Sequence, residues 1–183
     1  SAYAGDYEFY PGAIFSLRVE ANGLTFAPLG VGRDGLDPLP QIGQRRFMLN
    51  PQADISIVFA SPLNGVSAGF EYQIGLHGTL DAKRIELGPF DQESVNRNNY
   101  VGIYYSEELE TIYRLTLVDG KLTAKHIRLP AFELTPIQDD VFTGLGGPLQ
   151  KVEFTRSTDG RLTGFYASAP VAERVEFKLI DQN

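Results

Sequence analysis

The pattern Tyr-x-Gly-x-Tyr occurs twice in this chain, as YAGDY at residues 3–7 and as YVGIY at residues 100–104. The copies lie 97 positions apart, and the residues after each of them also match. IFSLRVEANGLTF (14–26) lies over TIYRLTLVDGKLT (111–123), setting Asn22-Gly23 against Asp119-Gly120. Leu36-Asp37-Pro38 then matches Leu134-Thr135-Pro136, and Phe47 matches Phe142. At an offset of 95, ISIVFASPLNGVSAGF (55–70) lies over QKVEFTRSTDGRLTGF (150–165). There Phe59, Asn64-Gly65 and Gly69-Phe70 meet Phe154, Asp159-Gly160 and Gly164-Phe165. Matches kept in order, with small gaps between them, mark a duplicated unit.

Each matched block reads as β-strand. Phe15, Leu17 and Val19 alternate with Ser16, Arg18 and Glu20, the period of a half-buried strand. Asn-Gly and Asp-Gly supply the positive φ of two-residue hairpin turns, and they separate alternating runs twice in each copy. Leu-x-Pro suits a sheet edge, because Pro has no N–H for a central ladder. In Tyr-x-Gly-x-Tyr all three named residues share one face of a strand. A Gly there lets the sheet bend, with the flanking rings expected to cover the bare backbone.

The stretch SEELETIYRL (106–115) carries helix formers, but its counterpart FYPGAIFSL (9–17) contains Pro-Gly, so both read as a turn leading into a strand. The segment GPFDQESVNRNN (88–99) is polar and aperiodic, a linker with room for one helical turn. The expected architecture is all-β: two tandem, antiparallel, roughly eight-stranded barrels. Residues 1–88 form the first barrel, 89–99 the linker and 100–183 the second barrel.

Composition narrows the function classes. No apolar run approaches the ~18 residues of a membrane helix, and cysteine is absent, which removes disulfides, thiolate nucleophiles and Cys-ligated metals. The net charge of −7 is shared: residues 1–90 hold 9 acids and 6 bases, residues 91–183 hold 14 and 10. Neither half has a basic stripe, so nucleic acid and anionic membrane surfaces are poor partners. The first residues, SAYAGDYEF, show no signal-peptide pattern and no initiator Met, the expectation for a processed or trimmed product. The compartment stays open, with the periplasm or the exterior favoured over the cytoplasm.

The order of these blocks resembles the small lipocalin-like barrels found C-terminal to serine β-lactamase-like hydrolases, including D-aminopeptidases and related penicillin-recognising peptidases and esterases. GAIFSLRVEANGLTF and GTLDAKRI (78–85) carry the resemblance in the first copy. Enzymes of the D-aminopeptidase type carry two such barrels. The resemblance implies an accessory role, since the chemistry of those enzymes belongs to a separate domain with a Ser-x-x-Lys nucleophile. No serine here has Lys at +3; Ser94 is followed by Arg97 and Ser106 by Leu109. No catalytic residue is transferred.

Other motifs read as structure. GVGRDG (30–35) is a literal Gly-x-Gly-x-x-Gly, but Pro38 and Pro40 forbid the helix that a dinucleotide site requires. GLGGP (144–148) reads as a loop. His77 and His126, the two histidines, fall at non-matching places and read as surface or rim residues. Glu107-Glu108-Glu110 and Asp139-Asp140 read as solvated acids, and Arg45-Arg46 as a polar rim. No catalytic, cofactor-binding or metal residue is therefore assigned, and no cofactor is expected.

Three functions remain. The first is a non-catalytic module that packs on a hydrolase catalytic domain and shapes access to its site. The second is a free-standing binder of a small apolar or peptidic ligand, which the 12 Phe and 9 Tyr could surround. The third is a cofactor-free isomerase or cyclase using Tyr and Arg inside a barrel.

Overall fold

The computed structural model describes residues 1–29, 37–144 and 146–182. Two compact units divide the chain, Ser1–Leu87 and Gly88–Asn183. Both are eight-stranded antiparallel sheets, with no α-helix among the described residues. No helix of the described residues is long and apolar enough to cross a membrane.

The second unit is a closed barrel. Its strands are β9 (Gly102–Ser106), β10 (Thr111–Val118), β11 (Lys121–His126), β12 (Leu129–Gln138), β13 (Val141–Thr143), β14 (Lys151–Arg156), β15 (Leu162–Ala169) and β16 (Ala172–Asp181). Each pairs with its neighbour in sequence, and β16 returns to β9, so no edge is left to template aggregation. Two single-turn 3₁₀ helices, Gln92–Ser94 and Arg97–Tyr100, occupy the segment read as a linker. Asp91 and Asn96 cap them by accepting from the N–H groups of Glu93 and Asn98.

The first unit repeats this order with β1 (Gly5–Tyr10), β2 (Ala13–Glu20), β3 (Gly23–Pro28), β4 (Asp37–Pro38), β5 (Arg46–Asn50), β6 (Ile55–Phe59), β7 (Gly69–Ile74) and β8 (Thr79–Ile85). Its sheet is a half-barrel whose two edges are β4 and β5. Two full cylinders were expected, and this seam differs. Pro38 and Pro40 remove the N–H donors a ladder needs, so among the described residues no regular ladder joins the edges. They meet at the Gln41–Phe47 bridge and through the N–H groups of Met48 on Pro40 O (2.9 Å) and of Ile42 and Gly43 on Arg46 O (2.9 and 3.1 Å). GVGRDG and Leu36 lie outside the described residues.

The duplication is written in the ring geometry. Tyr7 donates its hydroxyl to Tyr3 O (2.9 Å), and Tyr104 donates to Tyr100 O (2.7 Å). Phe59 meets Phe70 at 5.5 Å and 73°, and Phe154 meets Phe165 at the same distance and angle. Phe47 is edge-on to Phe59 as Phe142 is to Phe154. These five-ring clusters sit at the centres of two separate cores, with Leu17 and Ile57 in the first and Leu115, Leu122, Leu134 and Val152 in the second. Each fully buried Phe or Leu contributes about 1.5–3 kcal/mol of apolar burial, and edge-to-face ring pairs add about 0.5–1.5 kcal/mol.

The Gly of Tyr-x-Gly-x-Tyr is required in both copies. A Cβ on Gly5 would fall 2.6 Å from the Arg84 guanidinium at a backbone φ of +151°, and one on Gly102 would fall 2.6 Å from Leu179 Cδ1 and 2.8 Å from Asp181 O. A side chain from the last strand covers the backbone in each unit, and in the second the flanking Tyr104 ring does so as well, with Cε2 at 3.5 Å.

Two details of the sequence alignment shift. Phe15 opposes Tyr7 as Tyr113 opposes Tyr104, so these strands correspond one residue away from the offset read at the turns. The cause is the turn itself, which is Ala21-Asn22 in the first copy and Asp119-Gly120 in the second. Leu39 takes the place assigned to Leu36: it is buried and bonds Leu24 O, as Leu134 is buried beside Leu122.

Candidate functional site

The side chains capable of chemistry are mostly engaged in holding the barrels together. His126 Nε2 lies 2.7 Å from Thr111 Oγ1, and its Nδ1 accepts from the Arg128 N–H at 3.1 Å. That pairing selects the tautomer with the proton on Nε2, and the ring packs on Tyr113 at 5.0 Å. His77 sits exposed in the turn after β7, its N–H on Ile74 O. Arg45 donates to Phe59 O at 2.8 Å, and Arg46 donates twice to the buried Ser56 hydroxyl. The two arginines thus brace β5 against β6, with Arg45 half-buried and Arg46 exposed.

Glu107 pairs with Lys178 at 3.1 Å, while Glu108 and Glu110 stand exposed in the turn before β10. The N–H groups of Gly144 and Gly147 bond Gln150 O and Gly144 O. Both of these GLGGP donors are therefore engaged within the loop, and its Leu145 lies outside the described residues. Ser94 donates to Asp91 O, and Arg97 to Gln92 O. Among the described residues no three His, Asp or Glu side chains converge as metal ligands.

Asp139 and Asp140 part company. Asp139 faces solvent, whereas Asp140 grips Arg156 side-on, with Nε–Oδ2 at 2.8 Å and Nη2–Oδ1 at 2.7 Å, and accepts the Tyr100 hydroxyl at 2.9 Å. Arg156 also lies over the Tyr100 ring at 5.6 Å. Hydrogen bonding from Arg156 holds the Asp140 carboxyl below its usual range, and the same bonds push the Arg156 guanidinium further up. Burial raises the Tyr100, Tyr7, Tyr72, Tyr104 and Tyr113 phenols, and the hydroxyls of Tyr7, Tyr100 and Tyr104 donate as neutral groups. Sequence reasoning missed the clamp because Asp140 and Arg156 lie in different elements. A signal existed in the repeat: Phe154 N–H bonds Asp140 O as Phe59 N–H bonds Arg45 O, so an acid replaces a base at one place in the fold.

The copies diverge most at the hairpin before the second Gly-Phe. In the first unit, Leu63 and Val66 close a tight turn on each other at 2.9 and 3.1 Å around Asn64 (φ +53°) and Gly65 (φ +82°). The buried Ser67 hydroxyl reaches both Ala60 O and Gly69 O at 2.9 Å, and its N–H bonds Ala2 O. This rigid tip leaves Leu63 77% and Val66 44% exposed. At its base, a groove of about 480 Å³ runs over Val58, Ala60, Ala68 and Gly69 toward Glu71 and Asp81. The equivalent hairpin of the second unit is polar, and it borders a cleft of about 580 Å³ lined by Asn99, Arg156, Ser157, Arg161, Thr163 and Gln182.

At the other end of the first unit four half-buried rings meet. Phe9 packs on Tyr10 at 4.5 Å, on Phe15 at 5.0 Å and on Tyr72 at 5.8 Å. No model of a known protein family matches this chain, and no curated protein matches it.

Proposed function

We propose that this chain is a non-catalytic accessory module that packs on the catalytic domain of a serine β-lactamase-like hydrolase and shapes access to its site. The observation that carries the reading is the apolar tip of the first unit. Leu63 stands 77% exposed on a turn fixed by its own hydrogen bonds and by Ser67. An exposed leucine on a rigid turn is well suited to a partner's apolar pocket, because little conformational freedom is lost on docking. The barrel cores support the same reading, since their own aromatic side chains fill them and leave surface features as the points of contact. The duplicated barrel resembling those of D-aminopeptidase-type enzymes supplies the identity of the partner.

The test starts from the gene, which should encode a Ser-x-x-Lys domain in the same reading frame or beside it. That domain, assayed with and without this chain, should change its KM for bulky amide and ester substrates. Leu63→Asp should remove the change while leaving the thermal midpoint of the chain in place. A hydrolase domain with the same kinetics in the presence and absence of the chain refutes the reading, as does a locus that encodes no such domain.

The rings Phe9, Tyr10, Phe15 and Tyr72 favour a second reading, a small apolar ligand at that end of the first unit. A fluorescent apolar probe displaced by Phe9→Ser, the residue type at the equivalent place in the second unit, would separate the two.

A further inference from the structure

We infer that the cleft beside the β14–β15 hairpin of the second unit is a binding site for a small carboxylate. Its lining includes two arginines, Arg156 and Arg161, and no acid, in a chain whose net charge is −7. The arginines play different parts. Arg156 is a fixed positive charge, clamped side-on by Asp140, tied to Gly160 O at 3.0 Å and laid over Tyr100. Arg161 is the open fork. It is 82% exposed, its Nε meets Asp159 at 2.8 Å, and its four terminal N–H groups have no acceptor among the described residues. A guanidinium edge presents two parallel donors at the spacing of carboxylate oxygens.

Further donors border the cleft. The Asn99 side-chain amide makes no hydrogen bond among the described residues, and Gln182 uses one amide N–H on Asn99 O. The Ser157 hydroxyl points at Asp159 Oδ1 (2.5 Å), with Arg161 O at 3.1 Å, and the Thr163 hydroxyl donates to Thr155 O, so both can offer only lone pairs. The net offer is N–H donors from Arg161, Asn99 and Gln182, beside two arginines that are each paired with an acid.

The geometry of the donors selects the ligand. Asp140 and Asp159 lie against the two guanidiniums and balance their formal charge, so a dianion such as phosphate or sulfate gains no net attraction, while a carboxylate matches the paired N–H groups of the Arg161 terminus. Arg156 is held before any ligand arrives, which lowers the ordering cost of binding. The first copy lacks this arrangement. By the paired ladders, Ser61 stands where Arg156 does and Arg45 where Asp140 does, so the clamp belongs to the second copy alone.

The test is an NMR titration of the ¹⁵N-labelled full chain at constant ionic strength. Sodium acetate represents a free carboxylate, N-acetylglycine a peptide C-terminus, and sodium phosphate and chloride the controls. Saturable shifts are expected at the amides of Ser157, Gly160, Arg161 and Thr163 with a Kd on the order of 1 mM for one or both carboxylates. The stronger of the two identifies the source. Arg161→Ala should weaken binding at least fivefold, Arg161→Lys should retain part of it, and neither should move the thermal midpoint. Three outcomes overturn the inference: shifts that stay linear and spread over all surface cations, as for an adventitious ion only; binding unchanged in Arg161→Ala; or phosphate binding more tightly than either carboxylate.

Discussion

Replacing Gly164 by alanine is a sensitive test of how the barrels are built. A Cβ there would overlap the Phe177 carbonyl oxygen on β16, and would lie 3.1 Å from Lys178 Cα and 3.2 Å from Phe177 C. All of these atoms are backbone, so no side chain can swing away. Gly164 does not carry a positive φ, which makes the penalty steric rather than conformational. Carbon and oxygen ordinarily touch at about 3.3 Å, so β15 and β16 must part by a shift on the order of an ångström at the Gly164–Lys178 pair. Overpacking of this kind costs about 1–3 kcal/mol, and stretching adjoining ladder bonds adds about 0.5–1.5 kcal/mol. The sum, about 2–4 kcal/mol, corresponds to a fall of roughly 10–30 °C in the thermal midpoint of a unit this size. Gly69 faces the Ala82 carbonyl oxygen in the same way, so Gly69→Ala should cost as much in the first unit. Gly88 has nothing within 4 Å of its would-be Cβ and no positive φ, which makes Gly88→Ala the control, expected within about 0.5 kcal/mol of the parent. Scanning calorimetry with urea denaturation reads all three. A Gly164→Ala protein within about 0.5 kcal/mol of the parent would refute the packing argument.

Further predictions concern the tyrosines and the clamp. Tyr104→Phe leaves the Tyr100 carbonyl without its 2.7 Å donor and should destabilise by about 1–3 kcal/mol; Tyr7→Phe also strips a partner from Arg84 Nη1, and urea midpoints measure both. Tyr7, Tyr100, Tyr104, Tyr113 and the half-buried Tyr72 have folded-state pKa values raised above the unfolded ~10, so their contribution is intact below about pH 10 and declines as pH rises beyond it. Absorbance near 295 nm, free of tryptophan here, should therefore show a late phenolate phase that coincides with unfolding. Asp140 has a depressed folded-state pKa, so its contribution is complete above the unfolded value of ~4 and is lost as pH falls through the folded one. Asp140→Asn should flatten that acid limb of the stability–pH curve.

Much of the fold was legible because its strongest signals are local. Period-2 alternation in 14–20, the Asn64-Gly65 and Asp119-Gly120 turns, and the spacing of Tyr-x-Gly-x-Tyr each depend on neighbours within a few residues, whereas Asn22-Gly23 turns one residue early and Asp159-Gly160 sits in a longer loop. The turn at 107–110 and the strand from Thr111 came from comparing copies, because Pro11-Gly12 excluded a helix at the matching place. What failed depends on distant partners. The one-residue shift between Phe15 and Tyr113 shows only in the ladder registers, which place the first turn at Ala21-Asn22, and the role of Leu39 is set by its bond to Leu24. The covering of Gly5 by Arg84 joins residues from opposite ends of the unit. At the candidate sites, Asp140 reads as a solvated acid until Arg156 is beside it. Leu63 is marked in the sequence only as the neighbour of the Asn64-Gly65 turn, and its exposure shows in the fold alone.

Both units use one architecture, in which the Tyr-x-Gly-x-Tyr strand is hydrogen-bonded on both sides. Interstrand NOEs from that strand test it most directly. Contacts are predicted from Tyr7 to both Phe15 and Arg84, and from Tyr104 to both Tyr113 and Leu179. If either tyrosine strand shows contacts on one side only, its sheet ends there, and the repeated barrel is contradicted.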